Sequence, residues 1–163
     1  LSHDSSVYLR LTGGAGNPQV YTDDYDFEIG KAIELRTGSD VTFIAAGTMV
    51  RACLDAAQLM ETRGVSAGVV NMHTIKPIDE EAIRKACSNS KLVVTVEEHS
   101  VIGGLGAAVA EYKATLANVP PQFMLGLPDA YGKTGDYQYM LEKYGLTAEQ
   151  IANNTIEKLA SYS

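Results

Sequence analysis

Apolar runs alternate with amphipathic segments along most of the chain, and this alternation predicts its secondary structure. Four short, mostly apolar runs are typical of strands buried inside a sheet, and they lie at residues 41–46, 65–72, 92–96 and 122–125. A run of alternating polar and apolar residues at 31–36 indicates a half-exposed edge strand. Thr37-Gly38-Ser39 is short enough for an antiparallel return from this strand into the next.

Stripes of apolar residues at helical spacing separate and follow these strands. The predicted helices begin near Thr48, Asp79, Leu105, Tyr137 and Thr147. Asp79 has the side chain of an N-cap, Gly64 ends the first helix, and Thr147 and Gln150 can form a capping box. This order of elements predicts an α/β fold: a three-layer sandwich with a five-stranded, mostly parallel sheet and one antiparallel edge strand.

Composition limits the classes of function. The chain has 163 residues and is 45% hydrophobic, enough for one domain with a core. A net charge of -7 disfavours nucleic acid and anionic membranes as partners, and no apolar run approaches a membrane span. Cys53 and Cys87 lie on apolar helical stripes without metal-binding or redox spacing, which indicates buried, reduced thiols in a cytoplasmic protein.

The most informative segment follows the strand at residues 92–96, where open α/β sheets place ligands and partners. Gly103, Gly104 and Gly106 open the next helix, and a helix start can hold a phosphate. Asp129 is then spaced to contact a ribose. Val109, however, stands where the dinucleotide fingerprint needs its third glycine, and this favours the alternative interpretation: the glycines allow a tight turn and close packing of a helix or a second subunit.

Glu97, Glu98 and His99 precede these glycines and admit two interpretations. They contain the groups of an acid/base cluster, and His99 can pair with either carboxylate. Neighbouring strand residues point to opposite faces, however, so the two glutamates cannot act as a facing pair unless the strand has already ended. No Ser or Cys nucleophile is placed beside His99 by the sequence. We therefore interpret the three residues as interface or structural residues and predict no catalytic residue.

His73 and Lys76 lie in the connection that follows the strand at residues 65–72. Pro77 disfavours a helical conformation at Lys76, so both side chains belong to a loop at the same edge of the sheet as Glu97. One interpretation is a basic patch opposite the glutamates that docks a neighbouring domain or an anion. The other is a plain connection with a solvated lysine. His73 and Lys76 complete the predicted interface residues, and the sequence contains no predicted metal or cofactor ligand.

Several segments, in family order, resemble the C-terminal domain of transketolases. They are Val70–Asp79 as VNMHTIKPID, Glu97–Gly106 as EEHSVIGGLG, Gly126–Asp129 as GLPD followed by Gly135, and Leu141–Leu146 as LEKYGL. Residues 7–11, VYLRL, resemble the last strand of the pyrimidine-binding domain that precedes it in the family. Deoxyxylulose-phosphate synthase and the E1 beta chains of 2-oxo acid dehydrogenases share this domain type. The sequence HTIKP at residues 73–77 is most similar to that of the transketolase-like branch.

The resemblance implies a division of the chain and a role for it. Residues 1–12 would end the pyrimidine domain, residues 13–27 would be a linker, and residues 28–163 would be the C-terminal domain. The parent enzyme would transfer a two-carbon ketol unit between sugar phosphates with thiamine diphosphate and a divalent metal such as Mg²⁺. This chain would hold no cofactor; it would stabilise a homo-oligomer and contact the upstream domains or an N-terminal subunit. The competing class is a stand-alone nucleotide- or phosphate-binding module.

Overall fold

A computed structural model of the protein describes residues 4–11 and 18–162. In this part of the chain five strands alternate with five helices. The strands are β1 (Ile33–Arg36), β2 (Val41–Ala45), β3 (Ala67–Asn71), β4 (Leu92–Ser100) and β5 (Gln122–Leu127). The helices are α1 (Met49–Glu61), α2 (Glu80–Asn89), α3 (Leu105–Lys113), α4 (Tyr137–Tyr144) and α5 (Ala148–Ala160). Among the described residues, no helix combines the length and apolar character needed to cross a bilayer.

The five strands form one sheet in the order β1-β3-β2-β4-β5. Strands β2 to β5 run parallel, and β1 is antiparallel to its neighbour β3. The predicted α/β class with one antiparallel edge strand is therefore confirmed. Helices cover both faces: α1, α4 and α5 pack over one apolar cluster and α2 and α3 over another. The three-layer arrangement follows from this division of the core.

The predicted hairpin between the first two strands is wrong. Strand β1 pairs with β3, with Ile33 opposite Asn71, and β2 lies on the far side of β3. The connection after β1 crosses the start of β3 with very little space, since a Cβ on Gly38 would lie 2.1 Å from the Gly68 amide nitrogen. Glycines at both positions let the two backbones touch, so that a short connection can skip one strand.

Local signals at the helix ends are mostly confirmed. The Asp79 side chain accepts a hydrogen bond from the Ala82 amide, as an N-cap should, and Gly64 adopts φ +77° after α1. At α5, Thr147 Oγ1 accepts from the Gln150 backbone amide at 3.3 Å, and the Gln150 side chain reaches back through Oε1, which accepts from the Thr147 hydroxyl at 2.9 Å. The side-chain nitrogen Nε2 of Gln150 donates to the Glu142 carbonyl, and this hydrogen bond links α5 to α4 at their junction.

Two stretches differ from the predicted boundaries or add to them. Strand β4 continues past Val96 to Ser100, with a shift of register against β5 in between. The described residues 6–11 belong to no strand, and the assignment of residues 1–12 to a preceding domain stays a prediction. Residues 18–28, here called the strap, pack against the carboxyl end of β3. There Asn71 donates to the Tyr21 hydroxyl at 2.7 Å, and the Phe27 ring lies 4.5 Å from the His73 ring.

Candidate functional site

Strands β2, β3 and β4 end at one edge of the sheet, here called the carboxyl edge. The helix after β2 packs on one face, whereas the helices after β3 and β4 pack on the opposite face. The chain therefore diverges on both sides of the β2 end, between β2 and β3 and between β2 and β4. Such switch points are where open α/β sheets form crevices, and the candidate residues lie around them.

Glu97 is a buried carboxylate that binds the first turn of α3. Its side chain is on the α3 face of β4, and the residue is only 5% exposed. Oε2 accepts a hydrogen bond from the Leu105 amide at 2.7 Å, and Oε1 accepts one from the Gly106 amide at 2.8 Å. The negative charge also faces the positive end of the helix dipole. The helix start that the sequence offered to a phosphate thus already binds an anion from its own chain.

The glycines after β4 create the space for this carboxylate. A Cβ on Gly104 would lie 1.9 Å from Glu97 Oε2, and a Cβ on Gly106 would lie 2.8 Å from Thr95 Oγ1. Gly103 is different, because it adopts φ +73° and a Cβ there would meet no atom within 4 Å. Two glycines therefore allow close approach and one allows the turn. Both properties favour the packing interpretation of the loop.

Glu98 points to the other face and joins three elements. Its Oε2 accepts hydrogen bonds from Thr48 Oγ1 at 2.5 Å and from the Tyr137 hydroxyl at 2.9 Å. Thr48 precedes α1, and Tyr137 is the first residue of α4. Burial raises the pKa of Tyr137. A hydrogen bond between the Tyr137 and Thr48 hydroxyls lowers this pKa, and the hydrogen bond to Glu98 raises it. As predicted from strand alternation, Glu97 and Glu98 do not face each other.

Sequence reasoning missed Thr48 and Tyr137. Both are neutral residues that lie far from Glu98 in the chain, so no spacing rule links them. A signal for each exists nonetheless. Thr48 follows a strand that ends at the carboxyl edge, and Tyr137 follows Asp136, whose side chain caps α4 by accepting from the Tyr139 amide. A capped helix start after β5 places its first residues at this same edge.

The other predicted residues are not brought into one cluster. His99 is exposed, with Nδ1 3.4 Å from the Ser100 carbonyl oxygen, and it pairs with neither glutamate among the described residues. His73 Nδ1 lies 2.9 Å from Thr74 Oγ1. Burial lowers the pKa of His73, and a hydrogen bond with the Lys31 backbone opposes that shift. The expected basic patch opposite the glutamates is therefore not formed as ion pairs.

Two further candidates lie apart from the buried groups. Lys76 is exposed in the loop before α2, and Asp129 is exposed between β5 and α4. Within residues 4–11 and 18–162, no three His, Cys, Asp or Glu side chains group as metal ligands would. The carboxyl edge thus combines one carboxylate that caps a helix, one that links two helix starts, and exposed loops around them.

Comparison with known proteins identifies the family. Residues 30–151 match the family described as Transketolase, C-terminal domain. The chain belongs to the transketolase C-terminal domain family. It is 42% identical over 151 residues to a 6-deoxy-6-sulfo-D-fructose transketolase subunit from Clostridium sp. (strain MSTE9), covering 93% of this chain and 46% of that protein. It is 41% identical over 159 residues to an apulose-4-phosphate transketolase subunit from Phocaeicola vulgatus, covering 96% and 50%.

A solved structure supports the same assignment. The domain superimposes with a TM-score of 0.83 and 41% identity on a protein described as a split gene transketolase, inactive beta4 tetramer, covering 89% of this chain and 47% of that one. A 1-deoxy-D-xylulose-5-phosphate synthase from Heliobacterium modesticaldum is 36% identical over 153 residues, 24% of its length. The domain therefore spans about half the length of the transketolase subunits that it matches.

Proposed function

We propose that this transketolase C-terminal domain serves an enzyme that transfers a two-carbon ketol unit between sugar phosphates. The enzyme uses thiamine diphosphate and Mg²⁺, which are held by its upstream domains or by a separate N-terminal subunit. The domain itself performs no chemical step; it supports the assembly in which the upstream domains form the active site. The observation that carries this proposal is the match over 93–96% of the chain to subunits of transketolases.

The two carboxylates of the carboxyl edge support a non-catalytic role. Glu97 accepts hydrogen bonds from the amides of the first turn of α3. Glu98 accepts a hydrogen bond from the Thr48 hydroxyl at the start of α1. A diphosphate at either helix start would meet a carboxylate of the same sign of charge, so the described residues do not fit this cofactor. Thiamine diphosphate supplies the chemistry of ketol transfer, and the residues that bind it belong to other domains in this proposal.

Assembly is the second part of the proposal. The structural relative is described as a beta4 tetramer of a split gene transketolase, and two sequence relatives are described as subunits. We propose that this domain likewise belongs to a homo-oligomer and contacts an upstream half or subunit. Of the five residues predicted for these contacts, Glu98, His99, His73 and Lys76 are the candidates that we retain, because Glu97 is buried and binds the first turn of α3. Two free thiols, at Cys53 and Cys87, support a cytoplasmic location.

The alternatives differ in their substrates. A deoxyxylulose-phosphate synthase or an E1 beta chain would use a 2-oxo acid in place of a ketose phosphate as donor. A stand-alone binding module would bind a nucleotide or phosphate without any partner, using Gly104, Gly106 and Asp129. The HTIKP sequence at residues 73–77 favours the transketolase branch over deoxyxylulose-phosphate synthase and the E1 beta chains. The hydrogen bonds from the α3 amides to Glu97 argue against a stand-alone nucleotide- or phosphate-binding module.

One set of measurements separates these functions. The full-length enzyme with thiamine diphosphate and Mg²⁺ is expected to convert a ketose phosphate and an aldose phosphate, and the 163-residue chain alone is expected to match a buffer control. Calorimetric titration of the chain alone with thiamine diphosphate, NAD and a ketose phosphate is expected to give no binding heat. Turnover of a 2-oxo acid, or binding of NAD to the chain alone, would overturn the proposal in favour of one of the alternatives.

A further inference from the structure

The strap brings the chain into the domain at the carboxyl edge. The Gln19 carbonyl accepts from Arg51 in α1, Val20 packs on the core, and Tyr21 binds Asn71 at the end of β3. Tyr25 stacks on Tyr21 with ring centroids 3.9 Å apart. The strap therefore lies at the carboxyl edge and not on the opposite side of the sheet.

Large apolar side chains are exposed around the same edge. They come from the strap, from the loops that follow β3, β4 and β5, and from the first turn of α4, and they are Tyr25, Phe27, Ile75, Ile102, Tyr131, Tyr137 and Tyr139. Ile102 is 65% exposed and Tyr131 is fully exposed, at 106%. Aromatic side chains contributed by separate loops to one surface are typical of the centre of a protein interface. The other exposed large apolar residues lie elsewhere in the chain: Leu59 is in α1, Tyr162 follows α5, and Val7, Tyr8, Leu9 and Leu11 precede the strap.

Glu98 lies among these side chains without a cation. It is half-buried, and both of its described hydrogen bonds come from neutral hydroxyls to a single oxygen, Oε2. Among the described residues, no Lys, Arg or His nitrogen forms an ion pair with it. A carboxylate withdrawn from water in this way favours an incoming positive charge. Oε1 remains available as the acceptor.

The charged side chains around Glu98 are mostly acidic, like Glu98 itself. Acidic side chains exposed on the strap and on the loop between β5 and α4 outnumber the basic ones of this edge. The acidic residues are Asp23, Asp24, Asp26, Glu28, Asp129 and Asp136, and the basic ones are Lys31, Arg51, Lys76 and Lys133, of which Arg51 forms an ion pair with Asp55. A second copy of the same edge would bring like charges together across a two-fold axis, which disfavours self-association here. A basic protein surface is complementary to it.

We infer that the carboxyl edge of this domain docks a basic surface of the upstream half of the subunit, with an Arg or Lys side chain on Glu98 and apolar contacts to the surrounding aromatic side chains. This inference rests on the proposed function, in which such an upstream half exists, and it names the surface that the two halves share. Tyr137 and Thr48 hold the Glu98 carboxylate in place before the partner arrives. The partner's cation then completes a site whose acceptor is already oriented.

Hydrogen–deuterium exchange tests this surface directly. Amides of the loops at residues 73–79, 98–104 and 128–136 are compared between the 163-residue chain alone and the full-length subunit. The docking predicts that exchange in these loops slows by about tenfold or more in the subunit, since a tenfold change corresponds to about 1.4 kcal/mol of protection. Slowing confined to the opposite edge or to the outer faces of α2 and α3 would overturn the inference.

Substitutions then test the chemistry of the contact. In the full-length subunit, Glu98→Lys is expected to restore fast exchange in the three loops, whereas Glu111→Lys, an exposed acidic residue of α3, is expected to leave them slow. Ile102→Ser removes an exposed side chain outside the core and is expected to act in the same direction as Glu98→Lys with the β2 and β4 amides still protected. Unchanged loop exchange in both Glu98→Lys and Ile102→Ser would overturn the inference.

Two further measurements identify the molecule that covers the carboxyl edge and test the enzymatic activity independently of each other. Concentration-dependent slowing of the same loops in the chain alone would show that a second copy occupies the edge and would also overturn the inference. Ketol transfer is measured on the wild-type subunit only. A subunit that lacks this activity but protects the three loops would refute the proposed function and leave the docking surface intact; an active subunit with unprotected loops would do the reverse.

Discussion

The Gly106 amide donates a hydrogen bond to the Glu97 carboxylate across 2.8 Å, so the strand that precedes the glycine loop caps the helix that follows it. The same carboxylate binds the Leu105 amide. Helix α3 lacks a capping side chain at Gly104, and Glu97 satisfies the first-turn amides in its place. The segment that looks like an anion-binding loop is therefore a closed unit in which strand, turn and helix stabilise one another.

Removal of this cap is expected to destabilise the domain. Glu97→Ala leaves two buried amides without an acceptor and should lower the free energy of unfolding by roughly 2–4 kcal/mol. Glu97→Gln keeps one acceptor oxygen but loses the charge, so a smaller loss of about 1–2 kcal/mol is expected. Urea unfolding measures both. The control Glu111→Gln changes an exposed glutamate and should stay within about 0.5 kcal/mol of the wild type.

The neighbouring glycines are expected to differ in their tolerance of a methyl group. Gly104→Ala would push a Cβ into Glu97 Oε2 and displace the capping carboxylate, for a loss of roughly 2–4 kcal/mol. Gly103→Ala meets open space, and its cost of about 1–2 kcal/mol comes only from the positive φ.

Thermal and urea unfolding of the two variants test this order. Gly106→Val is expected to lose about 1–3 kcal/mol through overpacking against Thr95 and Met124. If these glycines instead contacted a phosphate, the variants would lose phosphate affinity with their stability unchanged, which contradicts the packing interpretation.

His73 is expected to make stability depend on pH in mildly acidic solution. Burial lowers its pKa below the ordinary value of 6.5, so the unfolded chain binds this proton first as the pH falls. The stabilising contribution is complete above about pH 6.5 and is lost as the pH falls through the folded pKa. Urea unfolding between about pH 7.5 and pH 5 should show the loss. In His73→Gln the decrease of the free energy of unfolding with falling pH should become smaller by this contribution. An unchanged pH dependence would show that other groups cause it.

The two cysteines are expected to react at different rates with a thiol reagent. Burial raises the pKa of the Cys53 thiol strongly, and that side chain has no exposed surface, so it should react only on unfolding. Burial also raises the pKa of Cys87, but Lys113 opposes the shift and the residue is only half-buried. A chromogenic disulfide reagent at about pH 8 should therefore detect one slow thiol in the folded chain. In Cys87→Ser that reaction should vanish.

His99 provides a test of the assembled enzyme. Because it is exposed and caps no buried group, His99→Ala should leave the stability of the isolated chain nearly unchanged. In the full-length enzyme the same change is expected to weaken oligomerisation or stability and to leave the chemical step intact at saturating cofactor. Sedimentation and steady-state kinetics measure the two. Loss of turnover with association and cofactor affinity unchanged would make His99 a catalytic residue.

Much of the fold could be predicted because its signals are local. Buried β-branched runs mark β2, β3 and the first half of β4, and the N-cap at Asp79 depends on a few adjacent residues. The position of β1 could not be predicted, since it depends on Gly38 and Gly68 passing each other, and the two lie on separate segments. The predicted end of β4 comes too early because the polar residues at 97–100 lack the pattern of a buried strand.

The candidate site was predictable in place but not in chemistry. Parallel strands fix the carboxyl edge, so the sequence alone brought Glu97, Glu98 and His73 to one region. The partners of the glutamates are backbone amides and neutral hydroxyls, which carry no recognisable spacing. Thr48 and Tyr137 lie 50 and 39 residues from Glu98, and only the folded chain brings them within hydrogen-bond distance. Charge patterns in the sequence cannot reveal a carboxylate whose partners in the domain are backbone amides or hydroxyls.

The crossing of Gly38 over Gly68 has a consequence for how the polypeptide matures during synthesis. Strand β1 emerges from the ribosome before β2, α1 and β3, yet its sheet partner is β3, with Ile33 opposite Asn71. The edge strand therefore stays without its sheet partner until β3 has been synthesised. Translation thus delivers the edge strand of this sheet before α1 and both central strands that the chain must pass to reach the partner of that strand.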